Sequence, residues 1–184
     1  MIERLSNSEV SLKNNDDFVV GKYDIGDTSA LSQINIGAAE LVLPFITARK
    51  VRIQLLGIEA LNLAEVQVID TNGENRALSK PANQTSTYAS GGRSYPPGNA
   101  VNGIISSADF TSTTSEEGAA WEVDLEDDVQ VVEVIVYNRV ACCKDRLSNS
   151  EVSLINNASA VVGKYGIDNA SALSKITIVQ GDFL

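Results

Sequence analysis

The chain of 184 residues carries a net charge of −10, contains no histidine, and is 43% hydrophobic. An acidic balance with dispersed carboxylates disfavours a nucleic-acid partner, because phosphate neutralisation depends on Lys and Arg. The lack of histidine removes the commonest general base near neutral pH and the commonest catalytic zinc ligand, and no apolar run approaches the ~20 residues of a membrane-spanning helix.

The first segment of the chain is one copy of a repeat. Residues 4–36 and 146–178 align without a gap and are identical at 23 of 33 positions, including RLSNSEVSL and VVGKY. The shift of 142 residues has the size of one domain. The chain therefore reads as one unit plus a second copy of a single part, with ends that are not natural domain ends.

Beyond the first copy the periodicity is that of strands. VRIQLLGIEALNLAEVQVID (51–70) gives two alternating segments, 51–55 and 61–69, interrupted at Gly57. TNGEN (71–75) and the polar stretch after it have linker character, which predicts a unit boundary near 70–75. WEVDL (121–125), VQVVEVIVYNRV (129–140), EVSLI (151–155) and ITIV (176–179) alternate again and are rich in β-branched residues. No stretch has sustained helical spacing. Short strands with turn signals between them predict an all-β antiparallel sandwich or jelly roll.

The densest chemistry lies in NRVACCKDR (138–146). Adjacent cysteines stand about 3.8 Å apart at Cα across a trans peptide, whereas ordinary disulfides prefer roughly 4.4–6.8 Å. Chemistry alone leaves two readings, reduced thiols packed as small hydrophobes or a bond between neighbours. Arg139 and Arg146 likewise have two readings. They are either surface ion pairs, Arg146 with Asp145 or Glu151, or planar five-donor forks for neighbouring hydroxyls.

From Ala77 onward the sequence resembles an F-type lectin (fucolectin-like) domain, a relative of the discoidin and coagulation-factor type C sandwiches. The matching pieces are ALSKPANQTSTY (77–88), GNAVNG (98–103), AAWEVDL (119–125) and VIVYNRVACCKDRL (134–147). The closing strands of such a domain are similar to KVRIQLLGIEALNLAEVQV (50–68), which here precede the opening. The resemblance implies that 1–70 are the closing strands of one unit and 71–184 the opening strands of the next. Together they would form one circularly permuted sandwich, with one of the duplicates 4–36 and 146–178 redundant or exchanged between chains. A homo-oligomer or strand-swapped assembly stays open.

The resemblance also implies a site. Arg139 and Arg146 would grip sugar hydroxyls, and Cys142 and Cys143 would form a vicinal disulfide against the apolar edge of the ring. Ser112 stands where the family has a histidine, 27 residues before Arg139, and Ala141 where it has an Asp. Tyr88 falls near the sugar. Arg4, the counterpart of Arg146, is the other claimant to that arginine position. Phe110 and Ala64 replace a family disulfide. A structural calcium ion is implied, with Asn99, Asn102, a carbonyl near Asp109 and the Glu65 carboxylate as oxygen ligands. The implied function is a non-catalytic lectin domain for a glycan or polysaccharide, with fucose the family default, in an oxidising, extracellular compartment. The alternative is a structural or adhesion β-module with a degenerate sugar site. Glu116–Glu117 and Asp127–Asp128 are chain neighbours, unlike the spaced carboxylates of a glycosidase.

Overall fold

The computed structural model describes residues 8–13, 19–25 and 45–184. The chain divides into two units, Met1–Pro44 and Phe45–Leu184. The described part of the first unit is one hairpin, β1 (Ser8–Lys13) with β2 (Val19–Ile25). Arg4 and the rest of the N-terminal copy beyond Ile25 lie outside the described residues.

The second unit carries β3 (Ile46–Leu55), β4 (Ile58–Glu59), β5 (Asn62–Asp70), β6 (Ala82–Gln84), β7 (Ala89–Ser90) and β8 (Arg93–Ser94). These are followed by β9 (Thr111–Ser112), β10 (Glu116–Glu117), β11 (Ala120–Asn138), β12 (Ser150–Ile155), β13 (Val161–Ile167) and β14 (Lys175–Val179). Every pairing between these strands is antiparallel. The fold is the all-β sandwich that the alternation implies.

β11 holds the layers together. Its first half lies between β3 and β6, and its second half between β5 and β14. The sequence suggested two strands separated by EDD at 126–128. The structure instead keeps one strand with a register shift between Asp124 and Val129, and Glu126 adopts φ 67°. A bulge of this kind bends a strand without ending it, which lets one segment serve both layers. The turn Thr71–Asn75, where composition suggested a boundary, lies inside this unit. The Asp70 carboxylate caps it by accepting the backbone N–H groups of Asn72 and Glu74.

Alternation sorts the side chains. Val51, Ile53 and Leu55 of β3 and Trp121, Val123 and Leu125 of β11 are buried. On the opposite face, Lys50 and Arg52 pair with Glu122 across the two strands. β5 departs from this pattern. Its residues Asn62 to Val66 are all buried, since β9 and the 3-10 turn Pro97–Val101 cover its second face. Two polar side chains, Asn62 and Glu65, are thereby carried into the interior.

Trp121 is fully buried and its indole N–H donates to the Pro97 carbonyl at 3.0 Å. Trp121→Ala is expected to cost about 3–5 kcal/mol from lost packing, read by circular dichroism during chemical denaturation. A loss below about 1 kcal/mol would contradict this account of the core.

Candidate functional site

A cavity of about 350 Å³ opens beside the start of β5, lined by Glu59, Tyr88, Tyr95, Phe110, Ser112, Arg139 and Arg146, among others. Four of the residues singled out from sequence, Tyr88, Ser112, Arg139 and Arg146, therefore meet in one place.

Asn62 organises it. The side chain is fully buried, and its Oδ1 accepts Nη1 of Arg139 at 3.1 Å and Nη1 of Arg146 at 3.4 Å. Its Nδ2 donates to the Ser112 hydroxyl at 2.8 Å and to the Leu61 carbonyl at 2.9 Å. Ser112 in turn donates to the Thr113 carbonyl at 3.0 Å. The serine hydroxyl is thus committed within the protein and reaches the arginines only through Asn62.

The loop between the arginines is fixed by a second buried asparagine. Asn138, the last residue of β11, donates from Nδ2 to the carbonyls of Lys144, Ala170 and Leu173 and accepts the Arg139 backbone N–H at Oδ1. Within this loop Cys142 and Cys143 form a vicinal disulfide, with Cα atoms 3.8 Å apart and Cys143 at φ 61°. Cys142 is exposed and Cys143 half-buried, and neither sulfur is among the residues lining the cavity.

Arg139 lies over the Phe110 ring, with its guanidinium carbon 4.3 Å from the centroid. Phe110 stacks on Tyr95 at 4.5 Å, and Tyr95 on Tyr88 at 6.0 Å, so a column of three rings runs out to the exposed Tyr88. The stretch carrying both tyrosines, taken from sequence for a linker, is a tight hairpin. Gly91 and Gly92 make its two-residue turn at φ 60° and 76°, backbone that glycine adopts without penalty. Backbone bonds from Tyr88 N–H to the Ser112 carbonyl and from Ser112 N–H to the Tyr95 carbonyl tie the hairpin to β9.

The charges are uneven. Burial first, then the neighbouring Arg146 cation, pull the Arg139 pKa below its ordinary value. Arg139 has no carboxylate partner among the described ion pairs, and its buried Nε has no hydrogen-bond partner. Arg146 pairs with neither Asp145 nor Glu151 but with Glu59 at 3.6 Å, a carboxylate 47% exposed. Glu151 is taken by Lys164. An ion pair this open contributes little.

The proposed calcium ligands gather at a second place. Glu65 is fully buried on β5; its Oε1 accepts the Gly103 N–H at 3.1 Å, and Oε2 has no partner. Desolvation, the dominant cause, raises its pKa to about 7. The backbone N–H groups of Gly103 and Asn102 oppose the rise, and the Asp109 charge adds to it. Asn102 donates to the Asp109 carboxylate at 3.0 Å and accepts the Ile104 N–H at 2.8 Å, while Asn99 donates to the Phe110 carbonyl at 3.1 Å. Among the described residues, no group of three or more His, Cys, Asp or Glu side chains is placed to hold a metal. Phe110 and Ala64 are both buried just past the ladder that pairs Leu63 with Thr111.

Sequence reasoning missed Asn62, Glu59 and Tyr95. Asn62 opens β5 just ahead of apolar Leu63 and Ala64, and that is the one signal it leaves in the sequence. Residues 99–181 match the family of NedA-like, galactose-binding domains of F5/F8 type C. The match takes in Ser112, both arginines and the cysteine pair. No curated protein and no solved structure matches the chain.

Proposed function

We propose that the second unit is a non-catalytic carbohydrate-binding module, and that glycans enter the cavity at Arg139 and Arg146. The observation that carries this reading is the pair of guanidinium groups that share one neutral acceptor and line one cavity. A guanidinium has five N–H donors; Asn62 takes one from each arginine, and Glu59 faces Arg146 Nε. The remaining donors suit the closely spaced oxygens of a sugar, and the ring column ending at Tyr88 offers its C–H face a flat apolar surface. The likeness to galactose-binding-like domains, generally non-catalytic binding modules, supports the same reading.

A fucose-like ligand is the F-type lectin version of this proposal. Since the Ser112 hydroxyl is committed to Asn62 and Thr113, its part is to position Asn62, and the two arginines and Tyr88 meet the sugar. The vicinal disulfide, on the loop between the arginines, would meet the portion of a larger glycan that projects beyond the cavity. Such a disulfide belongs to an oxidising compartment, so cell-surface glycans or polysaccharides outside the cell are the proposed targets. The committed serine and the Glu59–Arg146 pair favour a second reading, a structural or adhesion module whose sugar site is degenerate.

On a glycan array the intact chain is expected to bind, and Arg139→Ala to lose at least about tenfold in affinity, the size of one charge-assisted hydrogen bond. No binding by the intact chain would hand the case to the structural module.

Glu65, Asn99, Asn102 and Asp109 suit a structural calcium ion. The buried, unpartnered Glu65 Oε2 is an oxygen in want of a cation, and the Asp109 charge that now raises the Glu65 pKa would serve as well. Millimolar calcium is expected to raise the melting temperature of the intact chain and to leave Glu65→Gln unmoved; equal shifts in both would refute the site.

In cation-free buffer the sign of the Glu65 effect is fixed. The unfolded chain releases this proton near the ordinary value of 4.5 and the folded chain only near 7. Between those values the folded state holds more protons, so stability falls as pH rises through the window. Thermal melts from pH 4 to 8 should show that fall in the intact chain and a flatter profile in Glu65→Gln.

A further inference from the structure

The chain contains the same hairpin twice. β1–β2 runs in register from Ser8↔Ile25 to Lys13↔Val19, and β12–β13 from Ser150↔Ile167 to Ile155↔Val161. The irregular step falls at the same place, Leu12/Lys13 in one and Leu154/Ile155 in the other. β12 has a second neighbour, β3, joined from Ser150↔Leu55 to Ile155↔Lys50. Among the described residues, β1 pairs with β2 alone.

Differences between the copies follow burial. Ten residues within 146–178 are buried, and nine of them, including Val152, Leu154, Gly163 and Ile167, recur unchanged 142 positions earlier. The exception sets Thr28 against Ala170. The other nine substitutions fall where the second copy is exposed or half-buried. The N-terminal copy therefore keeps the residues that the β12–β13 position requires and varies those it does not.

Topology permits a substitution. β12–β13 occupies one end of the sheet order, attached through β3, and β14 pairs with β11 off that path, so the segment can leave without threading. The chain that follows it returns to the start of β3. A Cβ on Gly163 would lie 3.0 Å from Phe183 Cβ and 3.4 Å from Ile46 Cδ1. In the N-terminal copy, the counterpart of β14 at 33–37 is followed by only eight residues before Ile46.

We propose that the hairpin Ser8–Ile25 is a second occupant of the β3 edge in the same chain, exchanging with Ser150–Ile167. Each arrangement uses 45–145 with one of the duplicate segments, 4–36 or 146–178. Two packings of near-identical segments differ little in energy, and the 20-residue tether at 26–45 keeps the displaced hairpin at high effective concentration. In the exchanged arrangement Arg4 takes the position of Arg146. The proposal does not depend on the site binding sugar.

Val152 is fully buried, so Val152→Asp poisons the C-terminal hairpin only. The full-length variant is expected to keep a cooperative melt as a monomer, with new hydrogen-exchange protection at 8–25. Val10→Asp should melt like the parent, and the double variant V10D/V152D should lose the transition. Loss already in V152D, or a transition retained in the double variant, would overturn the exchange; a V152D dimer by light scattering would place the hairpin on a second copy instead. Trapping reads the parent sequence directly. Arg52→Cys combined with Ser153→Cys joins a native cross-strand pair, and Arg52→Cys combined with Ser11→Cys should give the corresponding intrachain bond by peptide mapping. Absence of the 52–11 bond where the 52–153 bond forms would also overturn it.

Discussion

One buried carboxamide satisfies two cations, a serine and a backbone carbonyl at once, and the cavity takes its shape from that arrangement. Asn62 presents its oxygen to Arg139 and Arg146 and its nitrogen to Ser112 and Leu61. A carboxylate in its place would neutralise the arginines and blunt their pull on a ligand, and an apolar residue would leave them to repel each other. A neutral acceptor does neither. It orients the forks and leaves their charge available, at the cost of a guanidinium held in a desolvated place. That cost is offset in part by the Phe110 face beneath Arg139.

β5 delivers both buried polar groups from one strand. Asn62 lies behind the arginines that line the cavity, and Glu65, three residues on, meets the loop of Asn102 and Gly103. Phe110 connects the two places, since its ring carries Arg139 and its carbonyl accepts Asn99.

Much of the fold was legible in the sequence, because alternation of β-branched residues with charges has few other uses. The strands at 51–55, 61–69, 151–155 and 176–179 appear within a few residues of where periodicity put them. The acidic run at 126–128 misled because charge and turn residues look alike whether a strand ends or merely bulges. The stretch 90–99 misled for the opposite reason. Glycine pairs mark linkers and two-residue hairpins equally, and only the bonds to β9 distinguish them here. In the site, the arginines and cysteines stood out as a local constellation. Asn62 and Glu59 did not, since they lie some 80 residues away in sequence and join Arg146 only through the sheet. Ser112 was found, but its role depends on a partner that the local sequence does not contain.

Trp121 is the only tryptophan of the chain, and it lies in the core of the second unit with its indole N–H on Pro97. Its emission is consequently a native optical gauge of that unit, to which Met1–Pro44 contributes no indole. The same ring sits at the foot of the turn leading to Asn99 and Asn102, so a rearrangement of that turn alters the dipole seen by the fluorophore. The molecule thus carries its own spectroscopic label, at a position where the packing of the interior and the order of the loop are sensed together.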